Sequence, residues 1–280
     1  MNGREFISPN HNINMKIYPR IRKPSIDPNK NLRLHRAEFG HDSKKKNFNI
    51  YSYYPHINSL YKFISKINNI KHKHILIAAG GEAIIKDIFI LLSKILKRKN
   101  IFTFEPNYAM YKYYSEVFNF KLFSKTIYPG KKISLDELKF ILKNKRISVL
   151  ALVNPSHPIE QKYDKKEIKE LINFCAKNKI FVIIDEVYKF DFKENNQTYK
   201  KYNNVICVRS FSKIFGLPGL RVGYALANET NIRLLENFRL SIELSSDSIK
   251  FFENEISAKK ILNENFYKVQ QSKKFAEKSF

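Results

Sequence analysis

The chain has 280 residues, room for one large α/β domain or two small ones; 43% are hydrophobic, which excludes disorder, collagen and coiled coil as descriptions of the whole. Lys and Arg number 51 against 26 Asp and Glu, and a net charge of +25 raises nucleic acid or an anionic membrane as a partner. The basic residues are spread along the chain without a recognition module, so they read as a solvated surface and both partners are set aside.

In chain order, residues 1–42 show little periodicity and several prolines, as expected of an N-terminal arm. Met1–Arg20 has no apolar stretch to serve as a signal peptide, and no run in the chain reaches the roughly eighteen apolar residues of a membrane helix. Apolar, β-branched runs then predict seven strands: Ile75–Ala78, Ile101–Phe104, Lys121–Ser124, Val149–Val153, Phe181–Ile184, Val205–Val208 and Val222–Leu226. Helical periods lie among them at Asn58–Asn69, Glu82–Leu96, Ala109–Phe118, Leu135–Leu142, Lys165–Asn178 and Asn231–Leu240. From Ser245 onward the pattern is helical and polar. Cys175 and Cys207, both in hydrophobic segments, read as buried thiols of a reduced compartment, the cytoplasm. Doubly buried strands with helical crossovers predict a doubly wound, mostly parallel α/β sheet, whose chemistry sits beyond the strands' carboxyl ends.

Three strand ends carry chemistry. Ile75–Ala78 leads through Ala79-Gly80-Gly81-Glu82 directly into a helix, where small residues, free N–H groups and the helix dipole suit an anion. Phe181–Ile184 ends in Asp185-Glu186-Val187-Tyr188; a carboxylate there needs a cation, unless it is a helix cap or half of a salt bridge. Val205–Val208 runs into Ser210-Phe211-Ser212-Lys213 and on to Gly219-Leu220-Arg221. Hydroxyls and a guanidinium there suit a phosphate, and the amine suits a nearby electrophilic carbon. Nucleotide loops, a dinucleotide fingerprint and a hydrolase elbow are absent, and His72 and His74 lack metal-site partners.

Taken with Pro106-Asn107-Tyr108 and Asn154-Pro155-Ser156-His157-Pro158, these segments resemble the fold-type I pyridoxal-phosphate enzymes. The resemblance is specifically to class I/II aminotransferases of the histidinol-phosphate aminotransferase type, over about residues 30–245. It implies pyridoxal 5'-phosphate as cofactor, amino acid and keto-compound substrates, and a homodimer. Lys213 would join the cofactor's aldehyde carbon and then act as base, Asp185 would keep the ring nitrogen protonated, and Tyr188 would donate to the ring's phenolate oxygen. Tyr108 would stack on the ring; Ser210, Ser212, Arg221 and the backbone of Gly80, Gly81 and Glu82 would hold the phosphate; and Tyr54 would reach it from the neighbouring subunit. His157 stands where relatives usually carry an asparagine that donates to the ring oxygen, and Leu34-His35-Arg36-Ala37-Glu38 departs from the usual substrate-bordering stretch.

The implied domains are residues 1–42, an arm contributing to the small domain; 43–244, the pyridoxal-phosphate-binding large domain; and 245–280, the helical start of a truncated C-terminal domain. Relatives continue into a small domain that carries an arginine for the substrate carboxylate, so that domain is expected to be incomplete. The expected activity is transfer of an amino group between an amino acid and a keto acid, keto-phosphate or keto-sugar. A decarboxylase of a phosphorylated amino acid and a truncated, non-catalytic relative are the alternatives.

Overall fold

The computed structural model describes residues 54–190, 196–213, 215–240 and 243–279. The predicted arm and the Leu34–Glu38 stretch lie outside the described residues.

Seven strands form one sheet: β1 (Ile75–Ala78), β2 (Asn100–Glu105), β3 (Lys121–Thr126), β4 (Val149–Val153), β5 (Phe181–Asp185), β6 (Val205–Ser210) and β7 (Gly223–Ala227). Their order is β1-β7-β6-β5-β4-β2-β3. β2 pairs parallel with β3 and β4, as β4 does with β5 and β5 with β6; β7 alone runs against both its neighbours. This is the doubly wound, mostly parallel α/β sheet that the alternating periods predict.

Strand side chains alternate between faces, and both faces are covered. Ile75, Leu150, Val182 and Cys207 point to a core shared with α1 (Asn58–Asn68), α4 (Leu135–Asn144) and α5 (Lys165–Lys177). Leu76, Val149, Ile183 and Val208 point to the other, built with α2 (Gly81–Ile95), α3 (Met110–Val117) and α7 (Glu229–Glu236). Edge strand β3 is largely exposed and carries Lys121 and Lys125, which discourage pairing with another chain.

Boundaries follow local chemistry. Asp164 caps α5 in a reciprocal box with Glu167, and Asn228 caps α7, which starts earlier than its apolar period because the cap, not the period, sets its first turn. A short helix, α6 (Asn196–Lys201), was not anticipated, since its one large buried apolar side chain, Tyr199, makes no period. After Ser245 come α8 (Ser246–Lys250) and α9 (Glu255–Ser279), whose Ile249, Phe252, Ala258 and Leu262 join the first core. Among the described residues no helix is long and apolar enough to cross a membrane.

Candidate active site

All strands but β7 point their carboxyl ends the same way, and the loops that follow β1, β2, β4, β5 and β6 surround a cavity of about 350 Å³. Gly81, Glu82, Tyr108, His157, Asp185, Tyr188, Ser210, Ser212, Lys213 and Arg221 all line it. Gly80 lies just behind the lining. Tyr54 is exposed and takes no part in the cavity of its own chain. Among the described residues no three His, Cys, Asp or Glu gather as a metal site.

One end of the cavity is built for an anion. Gly80 precedes α2 at φ +89°, a conformation that favours glycine, and no side chain caps the helix. The first-turn amides and the helix dipole are therefore available beside Gly81 and Glu82. A methyl group on Gly80 would lie 2.8 Å from Nη2 of Arg221, so the guanidinium rests against the turn. Arg221 itself sits in the left-handed region (φ 49°, ψ 39°), its N–H donating to Pro218 O at 3.2 Å. Beside it, the Ser210 hydroxyl accepts from Ser212 N at 3.1 Å and lies 3.0 Å from the Ser212 hydroxyl.

The same cavity is lined by a carboxylate. Asp185 is 2% exposed; its Oδ1 accepts from Val187 N at 3.1 Å and its Oδ2 from the Tyr111 hydroxyl at 2.9 Å. No lysine, arginine or histidine among the described residues pairs with it. Burial raises its pKa to about 6, against the lowering effect of those two donors. Glu186 turns the other way. Its Oε2 accepts from Arg209 Nη2 at 2.6 Å and Nε at 2.9 Å, its Oε1 from Lys189 at 2.9 Å and from the Tyr199 hydroxyl at 2.6 Å. Burial works against that charge, yet Arg209 and Lys189 hold the carboxyl below its ordinary value.

The walls are aromatic. Tyr108 donates to Glu82 Oε2 at 2.8 Å and Tyr114 to Glu82 Oε1 at 3.2 Å, which fixes Tyr108 at the mouth; burial and that carboxylate push its phenol pKa up. His157 lies parallel to Tyr188, with ring centroids 4.4 Å apart and 6° between planes. Burial and the nearby Asp185 raise the Tyr188 phenol.

Three contributors escaped the sequence. Tyr111 falls inside the predicted helix Ala109–Phe118 with nothing to single it out, although Tyr108 and Tyr111 stand one helical turn apart. Gly223 permits close approach: a methyl group there would lie 2.3 Å from the carbonyl carbon of Gly80, so only glycine lets β7 meet the anion turn. Arg209, inside β6, gave no sign that it would meet Glu186, because the two come together only across paired strands.

The profile of the family "Aminotransferase class I and II" matches residues 27–273. The chain is 31% identical over 179 residues to histidinol-phosphate aminotransferase 2 of Oceanobacillus iheyensis, covering 61% of this chain and 47% of that protein. It is 27% identical over 208 residues to the histidinol-phosphate aminotransferase of Pyrococcus furiosus, covering 72% and 59%. It thus spans about half to three fifths of the length of these relatives. Among solved structures, histidinol-phosphate aminotransferase from Sinorhizobium meliloti in complex with pyridoxal-5'-phosphate superposes with a TM-score of 0.68 at 19% identity, over 77% of this chain and 58% of that one. L-threonine-O-3-phosphate decarboxylase from Porphyromonas gingivalis superposes at 0.60 with 20% identity, over 79% and 64%. At these identities the structures speak for the fold, and the profile for the lineage: the chain belongs to the class I and II aminotransferases.

Proposed function

We propose that this chain binds pyridoxal 5'-phosphate between Asp185 and the β1–α2 turn, and exchanges an amino group between an amino acid and a keto acid, keto-phosphate or keto-sugar. One observation carries the reading: a buried carboxylate that pairs with no cation among the described residues lines the same cavity as Lys213 and an uncapped helix start flanked by Arg221. A phosphate at one end and a cationic ring nitrogen at the other fit that donor set.

When bound, the coenzyme supplies an electrophilic carbon and a ring that accepts the electron pair left at the substrate's Cα. The side chains do the rest. Ser210, Ser212, Arg221 and the first-turn amides of Gly81 and Glu82 bind the phosphate. Asp185 holds a proton at the ring nitrogen. Lys213 anchors the electrophilic carbon and, once freed, takes the proton from the substrate's Cα through Nζ. Tyr108 covers one face against water, and Tyr188 and His157 donate to the ring oxygen. Tyr54, exposed here, reaches the phosphate of a second subunit, so the working unit is a homodimer. The free, buried Cys175 and Cys207 suit a cytoplasmic protein. Residues 43–244 form the coenzyme domain, and 245–280 begin the C-terminal domain.

The test is optical and chemical. Purified protein with added pyridoxal 5'-phosphate should turn yellow, and borohydride should fix the label on the peptide that contains Lys213. Lys213→Ala should abolish the fixation. Loss of the visible band on adding an amino donor supports amino transfer, while carbon dioxide release with the band retained would assign decarboxylation. Protein that takes up no coenzyme refutes the proposal.

A further inference from the structure

We propose that Tyr111 is a positioning residue of this site: its buried hydroxyl, by donating to Oδ2 of Asp185, keeps that carboxylate charged and fixes which of its lone pairs face the cavity. The inference rests on the coenzyme reading above and deepens it by naming the group that prepares the acid.

A carboxylate in an apolar surround drifts toward its neutral form unless donors meet it. Asp185 is such a group, buried at a cavity whose lining includes Val153 and Val187. Several titratable and charged groups face it. Tyr111 and Tyr108 come from the β2–α3 side, Glu186 and Tyr188 from its own loop, and Lys213 lines the same cavity. Glu186 is a like charge, and Arg209 and Lys189 are spent on Glu186. Tyr108 donates its hydrogen bond to Glu82. The donors that reach Asp185 are therefore the Val187 amide and the Tyr111 hydroxyl.

Tyr111 is suited to the task. It is completely buried, and burial with the Asp185 charge pushes its phenol well above its ordinary value, so it remains a donor at any working pH. It is held rigidly in turn: its N–H donates to Tyr108 O at 3.1 Å and its carbonyl accepts from the Ser115 hydroxyl at 2.6 Å. One Asp185 oxygen is thereby fixed by backbone and the other by α3, leaving the remaining lone pairs for a cation in the cavity.

The experiment reads Asp185 without coenzyme first. Carboxyl carbon NMR of aspartate-labelled apoprotein, with the resonance assigned through Asp185→Asn, should give a midpoint near 6. In Tyr111→Phe that midpoint should rise by about one pH unit, as loss of a hydrogen bond to a charged group implies. 3-Fluorotyrosine incorporated at position 111 alone, a more acidic donor of nearly the same shape, should lower it; this arm decides the matter if Tyr111→Phe fails to fold. Affinity for pyridoxal 5'-phosphate should fall about tenfold in Tyr111→Phe, yet show no further fall when Asp185→Asn is already present. A midpoint that ignores both changes overturns the role of Tyr111 and leaves the coenzyme reading intact if the wild type still fixes label on Lys213. An equal loss of affinity in both backgrounds assigns Tyr111 to packing and overturns it too. A wild type that fixes no label overturns both proposals, whatever the midpoint does.

Discussion

Asp185 and Glu186 are neighbours in sequence with opposite surroundings, and the difference comes from which side of β5's end each carboxyl faces. Glu186 meets two cations and belongs to the framework; Asp185 meets two neutral donors and the cavity. The pH consequence has a definite sign. Asp185 titrates near 6 when folded and near 3.9 when unfolded, so the empty protein is most favoured, as far as this group goes, below pH 4. That contribution is lost as pH rises from about 4 through 6, on the order of 2–3 kcal/mol. Urea denaturation of wild type against Asp185→Asn across this range should isolate it, the variant lacking the decline. Glu186 predicts differently: Arg209→Met takes both guanidinium donors from Oε2 of a buried carboxylate, leaving Lys189 and Tyr199 on Oε1, and should cost about 3 kcal/mol in the same assay. The sequence offered both carboxylates but not their division of labour, because Arg209 reaches Glu186 only through strand pairing.

Among elements, the strand–turn–helix unit of β1 and α2 was the most legible, since its glycines, small residues and apolar stripe are all local. Its dependence on Gly223 was not, because that contact is made across the sheet by a strand more than a hundred residues away. Gly223→Ala should destabilise the fold by about 1–3 kcal/mol through overpacking, measured by thermal unfolding, and should weaken coenzyme uptake as the anion turn shifts. The polar end of the chain was readable as helix but not as a prop for the site. In α9, Asn265 donates to Phe215 O at 2.8 Å, and Phe266 stacks on Phe190 near the Asp185 loop. Asn265→Ala should cost about 1 kcal/mol in urea unfolding.

At the scale of the molecule, alternating apolar runs and helical periods specify a sheet with two covered faces, and the parallel strands gather five separate segments at one rim. That is why motifs scattered from Gly80 to Arg221 line one cavity. Strand order was beyond reach, and so was the reversal of β7, since a short buried run reads the same in either direction. The reversal matters for the loop that carries Lys213. Its two feet, Ser210 and Gly223, are registered partners in adjacent strands, and Phe211 N–H donates to Val222 O at 3.1 Å. The loop is a tethered arch, not a free crossover. In hydrogen–deuterium exchange, the amide of Phe211 should open only with the whole sheet, while those near the crown respond to cofactor loading. Lys213 can therefore move within the cavity without its footing ever coming loose.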